Sequence, residues 1–313
     1  PTFQGNVERV YPFVKKNGQK KGFFKNINLQ YSFRGENRIN TTDSLFFKKG
    51  MFDDAKYGMK HSIPVSTNFK VLKHLSVSMN GNFDEIWTGN TINRTDYNIS
   101  SQQQSEKIKI KGFDRFNQYN FGMSVGTTIY GLFNFKENSK IQSIRHVIRP
   151  SVSYNIRPSF KKYYDTYIID ADGNTAEYTR FEDNFFGLPS KRYSSSIGLQ
   201  ISNNLEAKVK DKDSLATEPK KVTILNNLNI STNYNLAVDS LRLSPIRMTT
   251  GTNLFKNKLN INLSATFDAY ALSDSGLRIN KLNISNGGSL LRMTSANMNM
   301  NFSINSKSLK SKN

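Results

Sequence analysis

The sequence predicts an all-β protein: a transmembrane antiparallel β-barrel present in part, about eleven strands of a larger barrel. Three observations lead there. In the stretch from Gln118 to Phe135, Tyr119, Phe121, Met123, Val125, Ile129, Phe133 and Phe135 hold odd positions, while Gln118, Asn120, Ser124, Thr128 and Asn134 hold even ones. That is the period-two signature of a strand with one apolar face. The arm is also far longer than the ~5–6 residues of a soluble-domain strand. It exceeds the ~9–11 residues that a tilted strand needs to cross an outer membrane. Finally, the connections alternate between short and long, as short periplasmic turns and longer external loops do in such barrels.

Taken in order, a first strand covers residues 3–14, and a basic turn at 15–21 leads to a second from Phe23 to Phe33. There Ile27, Leu29, Tyr31 and Phe33 alternate with Asn26, Asn28, Gln30 and Ser32. An irregular stretch fills 34–56. The third strand, Tyr57 to Val71, and the fourth, Leu75 to Trp87, are joined by Leu72-Lys73-His74; Leu75, Val77, Met79, Phe83 and Trp87 keep one parity. Residues 89–115 read as polar and broken, with Ile108 and Ile110 able to extend the fifth strand outward. The fifth strand, Gln118 to Phe135, and the sixth, Ile141 to Arg157, form one long hairpin that stops at Pro158. Strands seven to ten run from Tyr193 to Val209, Val222 to Leu236, Ile246 to Phe255 and Leu259 to Ala269. The last carries Ala296, Met298, Met300, Phe302 and Ile304 against Asn297, Asn299, Asn301, Ser303 and Asn305.

Single-chain bacterial barrels close with an even number of strands, so eleven implies further strands outside this segment. The expected organisation is one barrel segment over 1–313, with no separate domain boundary and a long external loop at about 159–192. The polar faces are built from Asn, Ser and Thr rather than Lys and Glu, which suits a wet lumen; Asn120, Ser124, Asn299 and Asn301 are the candidate lumen-facing binding positions. Phe24, Phe33, Phe135, Tyr154, Tyr193 and Tyr270 are placed to form interfacial girdles.

Composition narrows the function classes. Hydrophobic residues make up 36% of the chain and no run approaches the ~18–20 apolar residues of a membrane helix. A barrel tolerates this because only alternate residues meet lipid. With no cysteine there is no disulfide framework or thiolate metal site. The start, Pro1-Thr2-Phe3-Gln4, shows no initiator Met and no export signal, so a processed or excised piece of a longer protein is expected. The net charge of +20 comes from 44 basic and 24 acidic residues. Its lysines are dispersed over turns (Lys15, Lys16, Lys20 and Lys21; Lys48 and Lys49; Lys161 and Lys162; Lys220 and Lys221; Lys307, Lys310 and Lys312). Nucleic-acid binding needs a basic face, so no nucleic-acid partner is expected. Dispersed Lys and Arg read as solvated loop ends, some of them available to a phosphate-bearing glycolipid.

No catalytic constellation is legible, so the chain is not read as an enzyme, and no metal or cofactor is expected. His61, His74 and His146 lie far apart without ligand spacing. Asp170-Ala171-Asp172-Gly173-Asn174 lacks the distal glutamate of a calcium loop and is better read as a hairpin turn. Arg145-His146 with Arg149-Pro150 reads as a basic patch at the foot of the sixth strand, Pro150 marking a bulge or a break in the ladder.

Three motifs carry a family resemblance. The run Ile144-Arg145-His146-Val147-Ile148-Arg149-Pro150-Ser151-Val152-Ser153-Tyr154-Asn155-Ile156-Arg157-Pro158 resembles the barrel of the lipopolysaccharide-assembly outer-membrane protein, or organic-solvent-tolerance protein, in its Bacteroidota form. Arg9-Val10-Tyr11-Pro12-Phe13 and Asp54-Ala55-Lys56-Tyr57-Gly58-Met59-Lys60-His61-Ser62-Ile63-Pro64 support it, so the motifs span the first half; the second half follows by continuity of pattern. The resemblance implies a location in the cell outer membrane, contact with membrane lipid, and lipopolysaccharide as cargo. It implies a plug lipoprotein in the lumen and a periplasmic lipopolysaccharide-bridge protein reached through an N-terminal domain that this segment lacks. No lateral-gate residue can be assigned. Proteobacterial members use disulfides that this cysteine-free segment cannot supply.

The function so implied is the barrel wall of the lipopolysaccharide translocon, which delivers lipopolysaccharide to the outer leaflet. The alternative is a solute channel or receptor-type outer-membrane transporter barrel, which explains the alternation but not the motifs. A detergent-independent surface β-protein is a third reading.

Overall fold

A computed structural model describes residues 1–15, 18–19, 22–53, 55–136, 139–210, 220–254 and 258–303. Among them the only α-helix is α1 (Lys49–Asp53), and almost everything else regular is strand. The strands are β1 (Thr2–Val10), β2 (Asn28–Arg38), β3 (Lys56–Val71), β4 (Leu75–Arg94), β5 (Lys107–Gly126), β6 (Ile129–Asn134), β7 (Ile141–Arg157), β8 (Tyr164–Ile168) and β9 (Thr175–Thr179). They continue with β10 (Ser194–Val209), β11 (Lys220–Asn235), β12 (Ile246–Leu254), β13 (Leu259–Asp268), β14 (Tyr270–Leu272), β15 (Arg278–Leu282) and β16 (Arg292–Phe302).

One large sheet runs in the order β1-β2-β3-β4-β5-β7-β10-β11-β12-β13-β16, with β6 also on β7. This is a meander of hairpins. β1 and β16 end the order without pairing to each other, so the sheet is an open, partial barrel wall. Its eleven path positions match the eleven strands that alternation predicts. The hairpins β8–β9 and β14–β15 stand outside it.

Several boundaries differ from expectation. The second strand starts at Asn28 because Phe24–Asn26 forms a 3₁₀ turn, and it continues to Arg38 through a stretch read as irregular. β4 and β5 extend to Arg94 and from Lys107, so the region 89–115 is mostly ladder. Its polar residues misled because both faces carry polar groups there. The long fifth arm breaks at Thr127 and Thr128. Pro150 has no N–H to offer, and its carbonyl instead accepts from Thr127 N at 3.2 Å, while Thr127 Oγ1 donates to His74 O at 2.9 Å. Pro150 therefore marks a ladder break. The Asp170–Asn174 segment is the β8–β9 turn, Gly173 taking φ 79° and Asn174 N donating to Asp170 Oδ1 at 3.0 Å. Lys16, Lys20, Lys21, Asp54, Phe255, Ile304, Asn305, Lys307, Lys310 and Lys312 lie outside the described residues.

The chain forms two compact units. The first takes Pro1–Phe69, Ser78–Met123 and Asn155–Ser194; the second takes Lys70–Val77, Ser124–Tyr154 and Ser195–Asn313. The first has an aromatic core of Ile86, Phe116, Phe160, Tyr163 and Phe181. The second, among the described residues, is sheet with little covering it, and it buries Asp268. That carboxylate, 3% exposed, accepts from Arg278 Nη2 at 3.2 Å and from Arg292 Nη2 at 3.4 Å, and pairs ionically with both guanidiniums.

Candidate functional site

Backbone register builds the most regular surface of the second unit. Residues directly paired across an antiparallel ladder share a face. Asn299 faces Asn262, Asn262 faces Gly251, and Gly251 faces Asn227, making one transverse row. The row beside it is Asn297, Ser264, Thr249, Asn229 and Ser202. On the other side lie Asn301, Asn260 and Asn253. The intervening rows point the opposite way: Met298, Leu263, Thr250 and Leu228; Met300, Ile261 and Thr252. One face is thus amide and hydroxyl, the other mainly Met, Leu and Ile.

The amides bond among themselves. Asn301 Nδ2 donates to Asn299 Oδ1 at 2.9 Å, and Asn262 to Asn260 and Asn260 to Asn253 at 2.5 Å each. Gly251 interrupts the first row, and a Cβ there would press on Asn262 Oδ1. An open cavity of about 380 Å³ lies beside it, lined by Asn227, Thr249, Asn262, Ser264, Asn297 and Asn299 among others. These rows carry no formal charge; the first cation along the face is Arg247, opposite Thr266 and Ser231. Such a surface offers many donors and acceptors without a point charge to trap an anion.

The first unit has a different polar face. A cavity of about 100 Å³ is lined by Asn82, Asp84, Gln118, Tyr119, Asn120 and Arg157. Asp84 accepts from Ser62 Oγ at 2.5 Å and forms an ion pair with Lys60 Nζ at 3.2 Å. Along the even positions of β4 the character then changes, and Ile86, Thr88 and Ile92 are all buried. The covering segment is the 158–193 loop. Phe116 packs on Phe181 with centroids 4.7 Å apart and edge-on to Tyr163 at 5.9 Å.

Backbone and side-chain bonds tie that loop down. Ile92 N donates to Arg180 O at 2.9 Å, Asn117 N to the Tyr163 hydroxyl at 3.1 Å, and Thr179 Oγ1 to Tyr163 O at 2.7 Å. Arg180 meets Asp114 at 2.5 Å, Arg94 meets Glu182 at 2.8 Å, and Lys107 meets Asp183 at 2.8 Å with Lys56 at 3.5 Å. Partial burial pushes the Asp183 carboxyl up, but Lys107 and Lys56 outweigh it and hold the group below the usual carboxylate range. Burial raises Tyr164, whose hydroxyl donates to Pro189 O at 2.6 Å.

The four candidate positions do not converge on one pocket. Asn120 belongs to the first unit, and Ser124, Asn299 and Asn301 to the second. Asn299 and Asn301 sit in the amide rows, and Asn120 lines the small cavity beside Asp84. His146 bonds Asn203 Oδ1 at 3.1 Å and Arg145 meets Glu206 at 3.5 Å, both between β7 and β10. The docked loop was not legible in advance, although a signal was there: Ile86 and Phe116 are apolar residues at even, otherwise polar positions. Among the described residues, no group of His, Asp and Glu is placed to hold a metal ion.

The family model described as LptD protein matches residues 1–270, most of the chain. The match runs through β13 and stops before β16, so Asn299 and Asn301 join it only through their register with β13. No curated protein and no solved structure matches.

Proposed function

We propose that this chain, which belongs to the LptD protein family, forms part of the barrel wall of the translocon that delivers lipopolysaccharide to the outer leaflet. The family places it in lipopolysaccharide transport and assembly at the outer membrane, as a transport component that interacts with lipopolysaccharide. Within that role we assign the whole of 1–313 to one wall segment. The amide rows face the lumen, and the Met, Leu and Ile rows face bilayer lipid. The lumen side meets a plug lipoprotein, and a periplasmic bridge protein delivers cargo from below.

The observation that supports this most is the transverse order of β11, β12, β13 and β16, where amide and hydroxyl rows alternate with rows that are mainly Met, Leu and Ile. A wall of this kind performs no bond chemistry. Between its two edge strands it satisfies backbone groups within the sheet, as lipid demands, and it offers sugar hydroxyls many weak, exchangeable hydrogen bonds. Each is worth about 0.5–1.5 kcal/mol net, enough to wet a glycan without holding it. Absence of charge in the rows keeps lipid phosphates from stalling there.

Photo-crosslinkers at Asn299 and Asn120 test the assignment against partners at Met298 and Phe121. The expected result is capture of lipopolysaccharide or the plug from the first pair and of bilayer lipid from the second; the reverse pattern overturns it. Depleting the protein in its own cells tests the role. Newly made lipopolysaccharide is expected to stall beneath the outer membrane while other barrels assemble. Unchanged surface lipopolysaccharide with failed uptake of a solute would instead establish a solute transporter.

A further inference from the structure

The aliphatic and aromatic face of the first unit contains a cleft that wall formation does not require. Its volume is about 390 Å³, and Phe3, Tyr57, Met59, Trp87, Gly89 and Phe113 are among its lining residues. Phe3 and Met59 both lie opposite Gly35, on β1 and β3. Trp87 stands edge-on to Phe113 at 5.6 Å. Glycine makes the cleft possible: a side chain on Gly89 would overlap the Tyr57 ring, and one on Gly35 the Phe3 ring. The rings therefore lie down on bare backbone.

Tyr57, Glu36 and Thr88 among the polar lining groups are already engaged, Thr88 Oγ1 donating to Asn90 O at 2.9 Å. Tyr57 Oη donates to Gly89 O at 3.4 Å, and Glu36 accepts from Arg34 at 3.1 Å and Arg38 at 2.8 Å. Beside the cleft, Glu85 accepts from Trp87 Nε1 at 2.9 Å and from Arg115 at 2.8 Å, and His61 lies against the indole with centroids 4.3 Å apart. Those contacts hold Trp87 in one orientation. The size falls within the range of small-molecule sites, about 300–1,000 Å³, and the lining selects an apolar occupant.

We infer that this cleft holds an acyl chain of an outer-membrane lipid against the outside of the wall. In an outer-membrane protein an apolar sheet face is bathed in lipid, so hydrocarbon chains are the apolar species present at overwhelming local concentration. A preformed aromatic cleft retains one chain longer than a flat wall does, because the chain is enclosed by rings that need not reorder. The inference rests on the outer-membrane location and not on the transport role.

Trp87 is the single tryptophan of the 313 residues, which makes the test direct. The protein is reconstituted in phosphatidylglycerol vesicles containing a small mole fraction of phosphatidylglycerol brominated on its acyl chains, and Trp87 fluorescence is followed. A retained chain quenches several-fold more than its mole fraction and saturates early. Phe113, 68% exposed, is changed to Asp, with Phe113→Ala as a milder companion, and circular dichroism checks the strands. Both variants are expected to return quenching to proportionality. Proportional quenching in the unmodified protein, quenching by aqueous iodide instead, or unchanged enrichment in both variants would each overturn the inference.

Discussion

The two units present polar faces built from similar residues, and among the described residues only one of them is covered. In the second, the Asn, Ser and Thr rows of β11, β12, β13 and β16 run without an apolar intruder, and β16 is exposed along nearly its whole length. In the first, the even face of β4 begins as Asn80, Asn82 and Asp84, then turns to Ile86 and Ile92, and there the 158–193 loop lies down. The contrast teaches that a polar wall stays open when its amides bond one another, and acquires a cover where apolar residues interrupt the pattern. Burial of one aromatic ring outweighs several exposed amide bonds.

The strongest way to break the contrast is to strip the cover. Phe181→Ala removes a ring that is 1% exposed from the centre of the cluster. A cost of about 3–5 kcal/mol is typical for such a truncation. The expected outcome is protease cleavage within 159–192 and fast amide exchange in β8 and β9, with exchange in β12 and β13 unchanged. Equal loosening of both regions would mean that the loop supports the whole wall.

Acid should act on the cover next. Asp183 is held below its ordinary range, so its contribution is present above the unfolded value of about 4 and is lost as pH falls through its lowered folded value. Loop protection should stay flat from neutrality to mildly acidic pH and fall only below that. Asp183→Asn should shrink the acid step, Asp114 and Glu182 remaining paired, without altering protection at neutral pH by more than about 1 kcal/mol, since the pair is partly exposed. A step near neutral pH would refute this assignment.

Smaller effects sharpen the open face. Arg180→Ala removes the contact to Asp114 and the stacking over Phe181, whose ring centre is 4.7 Å from the guanidinium carbon. About 1 kcal/mol of loop docking should go with it, read as a modest rise in exchange at Thr179. Least of all, Asn262→Ala should change stability by no more than about 1 kcal/mol, because the rows are open to water. Asn262→Lys, which places a charge in the neutral row, should leave folding intact and lower surface lipopolysaccharide. If the cation is harmless, the neutrality of the rows has no transport role.

Much of this was legible because period-two alternation records a two-sided environment locally. Met298 and Met300 against Asn299 and Asn301 declare a wall with an apolar and a polar side before any pairing is known. Pro150 announced the ladder break opposite β7, between β5 and β6, because a missing N–H is a property of one residue. The Asp170–Gly173 turn was legible for the same kind of reason, since a left-handed φ favours glycine. Less legible were the ends of β4 and β5, where burial under the loop replaces alternation as the reason for a residue's character.

The sequence by itself determined the all-β class, the eleven positions of the sheet and the character of each face, since these depend on neighbours two residues apart. Only the tertiary structure decided which amides meet across strands, because register joins Asn227, Gly251, Asn262 and Asn299 over long chain separations. It also decided that Tyr163 and Phe181 cover Ile86 and Phe116, and that rings settle on Gly35 and Gly89 to form a cleft. Those contacts arise from the space that distant residues leave for one another, and no local pattern encodes that space.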